Sequence, residues 1–133
     1  MKGNRHKARQ LALQCLYQWD FNPDREVGVT TIKVNFEAPK KAMAYAEALV
    51  AGVRERRVEI DEILNEHSHQ WRLERMDSVD RNILRLATYE IRFIDDVPPQ
   101  VAINEAMELA KRFSAGEALA FINGILDAVA KAD

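Results

Sequence analysis

Lys2, Arg5, His6, Lys7 and Arg9 stand among the first nineteen residues, and no acidic residue interrupts them. They lead into a helical repeat, "RHKARQLALQCLYQWD" (5–20), in which His6, Gln10, Leu13 and Tyr17 fall on one stripe with Arg9 flanking it. Read as exposed surface, that stripe offers cations, an amide and an aromatic ring. Cations meet phosphates and rings stack on splayed bases, so this combination suits single-stranded RNA. A merely solvated basic tail is the other reading, and patch and periodicity alone leave both open.

No other constellation carries chemistry. The five glycines are scattered at 3, 28, 52, 116 and 124, so there is no phosphate-cradling loop. His67 and His69 would point to opposite sides of a helix and have no third ligand beside them. Cys15 lies on an apolar stripe and reads as a small buried hydrophobe rather than a nucleophile. Asp95–Asp96 before a proline pair is a loop signal. Glu90 projects near a buried face and reads as a structural polar contact. The expectation is a protein that is not an enzyme, with no cofactor and no metal.

The elements that must position the basic edge are helices. The chain has 133 residues, 47% hydrophobic and 30% charged, with a net charge of -2, as in an ordinary globular domain. Ala8, Leu11, Ala12, Cys15, Leu16 and Trp19 recur at spacings of three and four and predict a helix from about 4 to 21. Residues 29–34, "VTTIKV", are β-branched but have no strand to pair with, and read as loop. A long helical pattern follows from Pro39 to about 66, divided near Gly52 or the charged run 54–57. A short helical piece over 68–75 places Trp71 as a core anchor between subdomains. Further helices are expected from Ser78, as N-cap, through Ile91, over 101–113, and over 117–131. Gly124 sits inside the last of these at a cost of about 1 kcal/mol relative to Ala, which a close helix–helix approach would explain. Phe121 stands one position off the buried stripe of that helix and reads as an exposed aromatic. The fold class is all-α, with a single cysteine, no membrane-length apolar run and no signal peptide, which points to the cytoplasm.

Three segments resemble the NusB family of transcription antitermination factors. The first is the opening helix, with Ala12, Gln14, Leu16 and Tyr17 in the family's "A-x-Q-x-L-Y" pattern. The second is "WRLERMDSVDRNILRLATYE" (71–90). The third comprises "VPPQVAINEAMELAKRFS" (97–114) and "FINGILD" (121–127). The likeness runs end to end except over about 22–40. It implies an all-helical fold of two small subdomains, about 1–75 and 76–133. It also implies a factor that binds boxA-type RNA together with the small-subunit ribosomal protein acting as NusE, within an RNA polymerase antitermination complex that serves ribosomal RNA operons. The family's RNA contacts carry over to Lys2, Arg5, His6, Lys7, Arg9 and Tyr17. Its partner contacts carry over to Asp80, Glu117 and Phe121.

The departures fall on those same surfaces. His6 and Lys7 occupy positions of the usual arginine cluster, and neither reproduces a guanidinium's planar, bidentate grip on phosphate. "EALA" (117–120) stands where the family usually has a serine and another polar residue, which puts partner contacts at Ala118 and Ala120 in question. Two alternatives keep the helices but change the job. One is a NusB-like domain cut from an rRNA cytosine methyltransferase. The other is a helical protein–protein adaptor that binds no RNA.

Overall fold

The computed structural model describes residues 2–21, 40–68 and 71–132, apart from the side chains of residues 2 and 3. Among them are six α-helices and no strand: α1 (Lys2–Phe21), α2 (Lys40–Glu55), α3 (Arg57–Ser68), α4 (Ser78–Phe93), α5 (Pro99–Phe113) and α6 (Ala118–Lys131). A 3-10 turn, Leu73–Arg75, precedes α4. The all-α expectation holds, while "VTTIKV" lies outside the described residues. Two compact units divide the chain, Met1–Glu55 and Arg56–Asp133. The division falls at 55 rather than near 75, because α3 packs with helices that follow and the 3-10 turn packs on α3.

In the first unit α1 packs on α2. Ala8, Leu11, Ala12, Cys15 and Leu16 are fully buried, and so are Ala42, Ala46, Leu49 and Val53, an i, i+4, i+7, i+11 stripe on α2. Two cation–π contacts fix the direction of the pair. The Arg5 guanidinium lies 4.4 Å from the centroid of the Tyr45 ring, and that of Arg54 lies 5.0 Å from the Trp19 ring. Early residues of α1 thus meet early residues of α2, and late meet late, so the helices run in the same sense. The long pattern from Pro39 ends at Glu55, where Arg56 forms a turn before α3.

In the second unit α4 packs against α3, α5 and α6. Every residue from Asn82 to Thr88 is buried, so mid-helix α4 has no solvent face. Ile83, Leu84, Leu86 and Ala87 supply the apolar part. The polar part is a hydrogen-bonded chain. Arg85 is 3% exposed and donates from Nε and Nη2 to the two carboxylate oxygens of Asp61 on α3, at 2.9 and 3.1 Å. Its Nη1 donates to Asn82 Oδ1 at 3.1 Å, and Asn82 Nδ2 donates back to the Ser78 carbonyl at 2.9 Å. Ser78, expected as the N-cap, is instead the first helical residue, and its hydroxyl accepts from Asn82 at 3.2 Å. α5 opens on Pro99, whose missing N–H costs nothing in a helix's first turn.

Breaking one side of a buried ion pair leaves the other charge uncompensated. Asp61→Ala should therefore lower the unfolding free energy by about 2 to 3 kcal/mol, below the fully buried range because the Asp61 side chain is 22% exposed. Urea denaturation measures this. The double variant Asp61→Ala with Arg85→Met should recover much of the loss, whereas strictly additive losses would show that the pair is not coupled.

Candidate RNA and partner interface

The residues expected to meet RNA lie along α1, and the structure separates them by depth. Lys7 is exposed; Arg5 and His6 are half-buried. Arg9 is only 4% exposed, and its guanidinium lies 5.9 Å from the Tyr45 ring that also carries Arg5. Gln10 and Leu13 are buried as well, so the expected open stripe closes over its middle turns. His6 and Gln10 remain in register, with a 3.3 Å contact between the His6 Nε2 and Gln10 Nε2 atoms. One turn beyond, Tyr17 reopens to solvent and packs edge-on against Phe21 at 4.9 Å, leaving two exposed rings on one face. Lys2 is in helical backbone at the start of α1.

Tyr45 is the residue that sequence reasoning missed. Its ring receives two guanidinium groups, each such contact worth about 0.5 to 1 kcal/mol at an exposed site, and so orients the basic edge. Only the packing of α2 on α1 reveals it. Phe21 was legible, because it follows Tyr17 by four residues.

The partner candidates lie in the second unit. Asp80 is in the first turn of α4 and Glu117 just before α6, close enough for their charges to interact. Phe121 is one turn beyond Glu117. It is half-buried, because its ring stacks on Trp71 at 4.8 Å with 21° between the planes. The expectation of an exposed Phe121 is corrected to one covered face. Trp71 is corrected more strongly: it is 44% exposed and forms a surface stack, not a core anchor.

Asp80 is the most unusual group of this set. It is 7% exposed, and its Oδ1 has no hydrogen-bond partner among the described residues. The buried Ser114 hydroxyl also lacks one, although its proximity favours the carboxylate. Burial pushes the Asp80 carboxyl above the usual carboxylate range, Ser114 pulls it back, and the charges of Asp77 and Glu117 add to the rise. Cys15 offers no chemistry: burial pushes its thiol up to about 11, with the Arg54 charge opposing. No cluster of three or more His, Cys, Asp and Glu able to hold a metal occurs among the described residues.

With helix order, basic edge and acidic corner in view, comparison with known proteins identifies the lineage. The model of the NusB family matches residues 6–131. The chain belongs to the NusB family. Among curated relatives, the transcription antitermination protein NusB of Desulfotalea psychrophila is 47% identical over 132 residues, 94% of each chain. The NusB structure of T. maritima superposes with a TM-score of 0.86 at 36% identity, covering 98% of this chain and 93% of that one. A crystal structure of the antitermination factors NusB and NusE in complex with dsRNA gives a TM-score of 0.88 at 30% identity over the whole of both chains. The NusB resemblance read in the three sequence segments is thereby established.

Because the folded-state pKa of Asp80 is raised, the native protein holds a proton that the unfolded chain has already lost. Stability should therefore fall as pH rises from the carboxyl's ordinary value of 3.8 through the elevated one, with the full penalty present above it. Asp80→Asn should remove this component and be at least as stable as the parent at neutral pH. Urea denaturation from pH 4 to 7 tests the point: parallel profiles for the two proteins would mean that Asp80 titrates like an exposed carboxylate.

Proposed function

We propose that the chain is a transcription antitermination factor: an adaptor, not an enzyme, that binds boxA-type single-stranded RNA together with the small-subunit ribosomal protein acting as NusE. In this role it joins the RNA polymerase antitermination complex and promotes processive transcription of ribosomal RNA operons in the cytoplasm. The observation that carries the reading is the acid-free basic edge of α1 in a chain of NusB fold. A structural neighbour that joins NusB, NusE and RNA supports both partners. Lys7 and Arg5 supply the accessible cations, Lys2 and His6 extend them, and Arg9 adds charge from a buried position. Tyr17, with Phe21 beside it, offers a stacking surface. Asp80, Glu117 and Phe121 form the protein-partner surface, with Glu117 and one face of the Phe121 ring open to that protein.

Salt dependence separates the two RNA-binding readings from the purely protein-binding adaptor, and the length of the native reading frame separates the first from the methyltransferase domain. If Arg5 and Lys7 each meet one phosphate, the double variant Arg5→Gln, Lys7→Gln should reduce the magnitude of the log–log salt slope of RNA binding by about 1.4, at roughly 0.7 per single-strand phosphate. Arg9→Gln should instead act chiefly on folding. Fluorescence titrations of labelled boxA-type RNA at several salt concentrations make the measurement. An unchanged slope would remove α1 from the RNA site, and no binding at all by the parent protein would favour the purely protein-binding adaptor.

A further inference from the structure

A groove of about 540 Å³ opens in the second unit where the end of α3 and Trp71 face α6. His67, Ser68, Trp71, Phe121, Gly124 and Ile125 are among its lining. Three observations bear on what it holds. Trp71 and Phe121 form a near-parallel ring stack, yet Trp71 remains 44% exposed, so the stack can be extended by another flat ring. Gly124 weakens α6 as a helix without packing in return: a Cβ there would meet nothing within 4 Å, so no close approach of helices among the described residues explains it. The bare backbone keeps the groove open instead. Finally, Arg72 and Arg75, both exposed, follow Trp71 in the same short turn. Among the described residues, Arg72 is engaged only with an exposed Glu74 carboxylate at 3.8 Å.

Aromatic rings interleaved with cations are the means by which proteins hold single-stranded nucleic acid. Apolar walls with a few polar groups, in a volume of a few hundred Å³, are typical of a site that orients one small planar group. We propose that this groove is a nucleobase pocket, in which one base of the bound RNA strand stacks on the Trp71–Phe121 pair while Arg72 and Arg75 meet the flanking phosphates. The His67 ring and the Ser68 hydroxyl face the base edge and can hydrogen-bond to it. The pocket rests on the reading of the chain as an RNA-binding protein and adds a second locus of contact in the other unit from α1. It also reassigns part of Phe121, from partner anchor to stacking platform.

The test uses the full chain carrying Trp19→Phe, so that Trp71 is the only tryptophan, and a short single-stranded oligoribonucleotide of boxA type. Trp71 emission should be quenched in step with RNA binding. Trp71→Ala should weaken binding about 5- to 150-fold, the range for loss of one stacked base, with the salt slope unchanged. Trp71→Phe should retain most of the affinity. Gly124→Leu should fill the groove and weaken binding similarly, while circular dichroism and urea denaturation show a fold at least as stable. Unaltered Trp71 emission at saturating RNA, or parental affinity in both Trp71→Ala and Gly124→Leu, would overturn the pocket and leave the α1 site standing. So would variants that lose the protein partner but keep RNA, which would make the groove a protein-docking surface. Failure of the parent to bind RNA would overturn the pocket and the RNA-binding function together.

Discussion

The second unit depends on one interaction, the bidentate pair between Arg85 on α4 and Asp61 on α3. A guanidinium at 3% exposure is tolerable only when its donors are met, since an unpaired buried charge costs several kcal/mol. Meeting them sets the register of two helices. Asn82 takes the third donor and passes the constraint back to Ser78 at the start of α4. The consequence reaches the surface, because the first turn that this chain pins also carries Asp80. Arg57 on α3 adds a second cation to Asp61 at 3.6 Å, so that carboxylate serves two arginines.

The first unit solves a different problem. A helix that must bury Ala8, Leu11, Ala12, Cys15 and Leu16 cannot also present every residue of a basic run to solvent. Polar side chains at the helix start are partly drawn in, and the Tyr45 ring receives the two arginines that α1 brings closest to α2. Cation–π contact permits this, because a guanidinium is weakly hydrated and can lie on a ring without surrendering its charge. Lys7, with a compact and strongly hydrated ammonium, remains outside. The outcome is a basic edge whose arginines lie on a ring while Lys7 stays in solvent.

Around Asp80, Glu117 and the Trp71–Phe121 stack, the molecule forgoes stability for exposed chemistry. Among the described residues a buried carboxylate oxygen and a buried serine hydroxyl lack hydrogen-bond partners, a tryptophan is left nearly half open, and a helix carries a glycine that no neighbour requires. Each is a local departure from what folding alone favours, and all occur in the second unit. Such departures collect where a surface is shaped for something other than itself. The same unit contains the hydrogen-bonded chain from Ser78 through Asn82 and Arg85 to Asp61.

Helix identity, the apolar stripe of α1, the break between α2 and α3, and the family itself were legible in the sequence, because period and motif order are local properties of the chain. The turn at Arg56 was marked by the charged run 54–57, whereas the proline pair read as loop and α5 opens at Pro99, two residues before the expected start. The rest was decided by tertiary packing. Periodicity ranks the faces of one helix but cannot say how many are covered, so Arg9, Gln10 and Leu13 read as open surface and are buried. It placed Trp71 in the core, since a large ring in an apolar setting usually belongs there, but a stack on Phe121 needs only one covered face. It explained Gly124 by a neighbour that is absent among the described residues. Tyr45 and Ser114 had no sequence signal, because what matters about each is a residue brought near from another helix or loop. Sequence determined which segments are helical and which family they form; only the fold determined which charges are reached, because burial belongs to the assembly of helices and not to any one of them.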